Sequence, residues 1–179
     1  EGVYASVLDS VSGGMIQAAT LIDATAINPR CLRLGPNPTL CYIDTSASPH
    51  LLKSVQVDTN NPVAFKAAKT ISSVVNPTNP VYDVAIYSDN ASSGNGIFCY
   101  NNSGATRIDV GYLTTDGAVG TAGAGYPVAA TITSTNATDC IAICGDKINT
   151  VVAEEERIYV GYASTGSSLG LKIKRVTAL

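Results

Sequence analysis

Apolar and polar residues alternate along much of the second half of the chain, which is typical of β-strands with one buried face. In the segment 82–87, Tyr82, Val84 and Ile86 alternate with the residues between them. Turn formers separate this segment from further strand-like segments. The pattern predicts strands at 97–100, 106–113, 127–135, 139–144 and 148–152, followed by a hairpin with arms near 158–162 and 169–173.

The first half of the chain is less regular, but it still contains strand signals. Residues 2–8 alternate, and residues 53–57 form a short apolar segment. Gly35, Pro36, Asn37 and Pro38 form a turn signal between two apolar segments, 31–34 and 39–43. The pattern therefore predicts a β-hairpin around this turn.

Two segments have helical spacing instead. One follows the glycines at 13 and 14, and the other follows a possible Asn61 cap with Pro62 at the first helical position. The second also suits a strand over residues 70–75. The apolar positions with helical spacing are Met15, Ala18, Ala19 and Ile22 in the first, and Val63, Ala67, Ile71 and Val74 in the second.

Short strands separated by turns every 8–12 residues indicate a sandwich or a barrel. We therefore predict an all-β fold, a single β domain over residues 1–179, built as a β-sandwich or jelly-roll-like barrel with one or two short helices. The sequence has no evident internal repeat or linker. It also lacks the strand-helix-strand rhythm of a Rossmann-type enzyme.

Charge is scarce in this chain. Only 14% of the residues are charged, 45% are apolar, and the net charge is −3. A typical domain has about 25% charged residues, so this surface suits contact with other proteins or life outside the cell. Since no block of basic residues exists beyond the C-terminal lysines and arginine, a nucleic-acid partner is not expected. No stretch reaches 18 continuous apolar residues, so no membrane span is expected either.

Five cysteines are present, an odd number, so at least one thiol is free or pairs between chains. The predicted hairpin brings Cys31 and Cys41 opposite each other, where a disulfide is geometrically possible. The alternative is that all five cysteines are small buried apolar residues.

Candidate catalytic chemistry is sparse. His50 is the single histidine, and the Gly-x-Ser-x-Gly pattern of many serine hydrolases is absent. Cys140 and Cys144 lack the second ligand pair of a structural zinc site. The glycine-rich segment 120–125 lacks the lysine of a phosphate loop. We therefore expect no enzymatic activity, no metal and no cofactor.

Candidate interface residues are of two kinds. Tyrosine buries apolar area and keeps a polar tip, so it favours interfaces. Tyr82 and Tyr87 fall on opposite faces of one predicted strand, as do Tyr159 and Tyr162 on another, so one of each pair could face a partner chain. The alternative is that tyrosine replaces phenylalanine in a thin β core. The charged candidates are an acidic run before the last hairpin and a basic group in its second arm, which could pair between copies. The alternative for the acidic run is a solvated turn that keeps a strand edge from pairing wrongly. The complete set of predicted interface residues is Tyr82, Tyr87, Tyr159, Tyr162, Glu154, Glu155, Glu156, Lys172, Lys174 and Arg175.

These features favour a structural subunit of a self-assembling protein shell, such as a viral capsid or a decoration (cement) protein, located in a virion or outside the cell. Its expected partners are other copies of itself or another structural protein. A secreted fibre or pilus subunit that assembles by strand exchange is one alternative. A carbohydrate-binding or adhesion module is another.

Overall fold

A computed structural model describes residues 2–8, 11–58, 64–87, 94–104, 107–120, 130–133, 141–149, 154–164 and 170–176. These residues form thirteen β-strands and no helix. The strands are β1 Val3–Leu8, β2 Met15–Asp23, β3 Ala26–Leu34, β4 Asn37–Asp44, β5 His50–Gln56, β6 Lys69–Val75, β7 Tyr82–Tyr87, β8 Asn95–Asn101, β9 Arg107–Leu113, β10 Ala130–Thr133, β11 Ile141–Asn149, β12 Glu154–Ser164 and β13 Gly170–Val176.

The strands form four antiparallel sheets, and each sheet is a simple meander in chain order. Sheet 1 is the hairpin β1–β2, sheet 2 contains β3–β6, sheet 3 contains β7–β10 and sheet 4 contains β11–β13. None of these sheets closes on itself within the described part of the chain, so the predicted barrel is wrong. The all-β fold is confirmed.

The four sheets stack face to face in chain order, with one hydrophobic cluster between each neighbouring pair. Val3 of sheet 1 packs with Leu40 and Tyr42 of sheet 2. The opposite face of sheet 2 packs on sheet 3, and the opposite face of sheet 3 packs on sheet 4. The second cluster includes Ile43, Leu52, Phe98 and Leu113, and the third includes Ile97, Val110, Ile143 and Val160.

This stacking explains the least regular apolar segments. In β4 the residues 39–44 are all buried, and in β8 the residues 96–101 are all buried. A strand covered on both faces has a continuous apolar run rather than an alternating pattern. Sheets 2 and 3 are therefore interior layers, whereas sheets 1 and 4 each have one outer face.

The first strands of the successive sheets lie beside one another. β1 contacts β3, β3 contacts β7, and β7 contacts β11. Two side chains connect these neighbours. Tyr82 Oη donates to the carbonyls of Asn28 at 2.6 Å and Cys41 at 2.7 Å, and the backbone N–H of Ile143 donates to Asp83 Oδ2 at 2.9 Å. The sheets thus meet along their first strands.

The turn after β9 attaches sheet 3 to sheet 2 through polar contacts. Ser54 Oγ donates to the carbonyl of Gly117 at 2.6 Å, and Gln56 Nε2 donates to the carbonyl of Thr115 at 2.9 Å. Both side chains belong to buried residues of β5. Burying a polar group is costly unless it is hydrogen-bonded, and these bonds meet that requirement while fixing one sheet against the next.

The two predicted helices are wrong. Met15–Asp23 is strand β2, because its backbone pairs with β1, and Lys69–Val75 is strand β6, because it pairs with β5. Residues 61–63, which include the predicted cap at Asn61 and Pro62, lie outside the described residues. The hairpin around Gly35 is confirmed as β3–β4, and the alternating segment 82–87 is confirmed as β7.

Candidate assembly surfaces

The hairpin β1–β2 presents an apolar outer surface. Its base packs on sheet 2 through Val3, while Tyr4 faces outward with 59% of its surface exposed. Tyr4 is directly opposite Leu21, and Leu8 is directly opposite Met15. Ten large apolar side chains are exposed among the described residues, and six of them lie on this hairpin or its turn: Tyr4, Leu8, Val11, Met15, Ile16 and Leu21. The two directly opposed pairs, Tyr4 with Leu21 and Leu8 with Met15, define the surface that we call the hairpin face.

The outer surface of sheet 4 is also apolar, but it is hollow. Two rows cross this sheet, since Ala142, Gly161 and Ile173 are register partners, as are Cys144, Tyr159 and Arg175. Ala142 and Ile173 are exposed. A shallow cavity of about 690 Å³ lies along this surface and is lined by residues of both rows. We call this surface the trough.

Three of the four predicted interface tyrosines belong to the core instead. Tyr82, Tyr87 and Tyr162 are each at most 8% exposed, and they lie in the clusters that join sheets. The described structure therefore packs these three tyrosines between its own sheets and does not present them to a partner chain. Tyr159 is half-buried and lines the trough.

The predicted charged candidates lie on β12 and β13. Glu154, Glu155 and Glu156 are the first residues of β12 and pair with Asn149, Ile148 and Lys147, so the acidic run is part of a strand and not a turn before it. Lys172 and Lys174 pair with Tyr162 and Val160. Arg175 is exposed beside Tyr159, at the edge of the trough.

Cys31 and Cys41 are both free thiols, so the predicted disulfide is not formed. The register explains this, because Arg30 and not Cys31 is the partner of Cys41. As a result, Cys31 is exposed while Cys41 is buried. Burial, with a smaller contribution from nearby Cys31, raises the pKa of the Cys41 thiol to about 12. Such a thiol stays protonated and unreactive.

His50 has a local structural role. It begins β5, and its Nδ1 donates to the carbonyl of Ala47 at 2.7 Å, which closes the turn before the strand. Among the described residues, no three acidic, histidine or cysteine side chains are grouped so that they hold a metal ion. Cys140 lies outside the described residues. No helix in the described segments has the length and apolar character needed to cross a membrane.

A charged cluster lies under the base of the hairpin. Lys53 Nζ is 2.5 Å from Asp44 Oδ2 and 3.9 Å from Asp23 Oδ2, and Thr25 Oγ1 donates to Asp44 Oδ1 at 2.8 Å. Burial opposes ionisation of Asp44, but hydrogen bonds from Lys53, Ser46 and Thr25 outweigh it and hold its pKa well below the usual range. Burial, together with these two carboxylates, raises the pKa of Tyr42 to about 12.

Beside this cluster, a cavity of about 360 Å³ separates the hairpin from sheet 2. Gln17, Thr20, Tyr42, Phe65 and Lys66 contribute to its lining. The cavity is more polar than the trough, since residues that carry amide, hydroxyl and ammonium groups line it. It therefore suits a small polar molecule better than the trough does.

Sequence reasoning missed both outer surfaces. Residues 15–22 have helical spacing, so the sequence did not predict the hairpin face. The available signal was the concentration of large apolar residues after Gly13 and Gly14. The trough had a weaker signal, the small residues Ala142 and Gly161 within apolar strands. No protein-family model, curated protein or solved structure matches this chain.

Proposed function

We propose that the protein is a non-enzymatic structural subunit that assembles with other protein chains in a protein shell, such as a viral capsid or a decoration layer. Its place of action is then the virion or the extracellular space. Its layers extend a β-sandwich to four sheets, which leaves one outer face at each end for partners. The low charge of the chain supports the same function.

The observation that carries this proposal is the hairpin face. A two-stranded hairpin is marginally stable in water unless something covers it. Here the base is covered by sheet 2, while six large apolar side chains of the hairpin or its turn remain exposed. Exposed apolar patches of this kind mark interaction sites.

The test is sedimentation velocity over a wide concentration range, combined with negative-stain electron microscopy. We expect assemblies larger than one chain. The double variant Leu8→Asp/Met15→Asp places two charges on directly opposed positions of the hairpin and is expected to weaken assembly. Val74→Asp, at an exposed apolar residue of β6, is the matched control. A protein that remains a single chain at every concentration overturns the proposal.

A carbohydrate-binding or adhesion module is the second candidate, and the polar cavity between hairpin and sheet 2 favours it. A sugar site usually combines an aromatic ring with amide and hydroxyl groups, and the half-buried Phe65, Gln17 and Thr20 provide these groups here. Screening the protein against immobilised glycans tests this function. Binding that is lost in Gln17→Ala supports it, and a complete lack of glycan binding rules it out.

A further inference from the structure

The four sheets pack on one another in the order in which they occur along the chain. Sheets 2 and 3 each bury one face on the sheet before them in the chain and the other face on the sheet after them, whereas sheets 1 and 4 each bury one face. Sheets 2 and 3 are both four-stranded meanders, and the first strands β1, β3, β7 and β11 lie beside one another. Meanders that stack in chain order and meet along their first strands are arranged like the blades of a β-propeller.

The trough is the surface on which a fifth sheet would pack if the stack of sheets 1 to 4 continued. The face of sheet 2 that meets sheet 3 is apolar, and so is the face of sheet 3 that meets sheet 4. The corresponding face of sheet 4 carries Ala142, Gly161 and Ile173, and none of the described strands packs on it. The hairpin face is the matching open surface at the other end of the stack.

The two open surfaces differ in shape in a way that makes them fit each other. The hairpin face carries large side chains, with Tyr4 opposite Leu21 and Leu8 opposite Met15. The trough is hollow, because Ala142 and Gly161 are adjacent across β11 and β12. Large side chains fit a hollow better than they fit other large side chains. Among the side chains that the structure describes in the two rows of the trough, Arg175 is the charged one, at the edge of the trough.

We propose that a second copy of this chain continues the stack, with the hairpin face of each copy seated in the trough of the other. Two copies contribute four sheets each, which closes a propeller-like ring of eight sheets. Eight is within the usual four to eight blades of a propeller. This inference depends on the proposed function, because it names the partner and the surfaces through which the subunit assembles.

Two single variants and their mixture test the proposal by sedimentation velocity. Tyr4→Asp damages only the hairpin face and Ile173→Asp only the trough. Each of the two contacts in the ring uses one hairpin face and one trough. In a dimer of one variant the substitution is therefore present in both contacts, and we expect self-association at least about tenfold weaker than that of the wild type. When the two variants are mixed, one contact joins two undamaged surfaces, so we expect a 1:1 dimer to form.

Thermal unfolding provides the folding control, because both side chains are exposed and neither variant should unfold at a lower temperature. Val74→Asp controls for added charge. If either single variant dimerises as the wild type does, the dimer does not need the contact between hairpin face and trough. That result overturns the inference, while the proposed function stands. Wild-type assemblies that grow beyond two copies through these surfaces overturn the closed ring. A wild type that stays a single chain overturns both the inference and the proposed function.

Discussion

Asp44 lies on the buried strand β4, and its surroundings stabilise the ionised form of its carboxylate. Its side chain is 3% exposed, and Lys53, Thr25 and Ser46 all donate hydrogen bonds to it. Because the folded state lowers its pKa, the charged form contributes stability at every pH above the unfolded value of about 3.9. This contribution disappears as the pH falls below about 4, towards the pKa of the folded state.

We expect Asp44→Asn to lower the free energy of unfolding at pH 7 by about 3 kcal/mol, since it leaves Lys53 without its nearest partner. The difference from the wild type should shrink as the pH falls below about 4. Urea denaturation at several pH values measures both effects. Asp116→Asn is the control, because the ion pair of Asp116 with Lys69 is exposed and such a pair contributes about 1 kcal/mol or less. Equal losses in the two variants would contradict this account.

Position 111 has to be glycine because the ring of Phe98, its register partner on β8, occupies the space of a side chain there. A Cβ atom at position 111 would lie 2.5 Å from Phe98 Cζ, and the ring is held in the cluster between sheets 2 and 3. We expect Gly111→Ala to destabilise the protein by about 1–3 kcal/mol through overpacking. The urea midpoint measures this loss. Gly104→Ala, where a Cβ meets only ordinary contacts, should change the midpoint little, and a comparable shift there would refute the steric explanation.

At the scale of elements, strands with local signals were predictable and pairings were not. The alternation in residues 82–87 and the turn at Gly35 each identify a strand or hairpin from neighbouring residues alone. Residues 15–22 have helical spacing, but pairing with β1 overrides that preference. The residues 145–147 resemble a turn in sequence, yet they continue β11 because β12 pairs with them along their whole length.

The contact between β4 and β7 offers a test of how one element holds another. Tyr82 Oη, on β7, donates to the carbonyl of Cys41 on β4 and to that of Asn28 on β3. Asn28 has a φ of 54° at an irregularity in β3, so its carbonyl is presented to the tyrosine instead of following the regular ladder. Burial raises the pKa of Tyr82 far above its ordinary value, which keeps the hydroxyl able to donate.

We expect Tyr82→Phe to reduce the free energy of unfolding by about 1–2 kcal/mol, because two carbonyls lose a donor while the packing of the ring is kept. Urea denaturation gives the magnitude. Tyr4→Phe removes a hydroxyl from an exposed ring and should leave stability nearly unchanged. An unchanged stability in Tyr82→Phe would mean that packing alone holds β7 on sheet 2.

At the scale of the whole molecule, the candidate surfaces depend on which faces the stacking leaves open. The sequence indicated an assembling β protein, but it did not distinguish tyrosines that fill a core from those that face a partner. Tyr82 and Tyr87 lie on opposite faces of β7, and each packs in a cluster that joins sheet 3 to a neighbouring sheet. Only the order of the four sheets identifies the hairpin face and the trough, since that order is a property of contacts far apart in the chain.

The stacking of whole meanders in chain order also bears on how such a chain changes its length during evolution. In the described part of the chain each hydrophobic cluster joins two consecutive sheets, so the gain or loss of one complete meander leaves every remaining neighbour with the same kind of apolar face. The gain or loss of a single strand would instead break a sheet. Descendants of this chain should therefore differ by duplicated or deleted meanders, with each end remaining able to receive another.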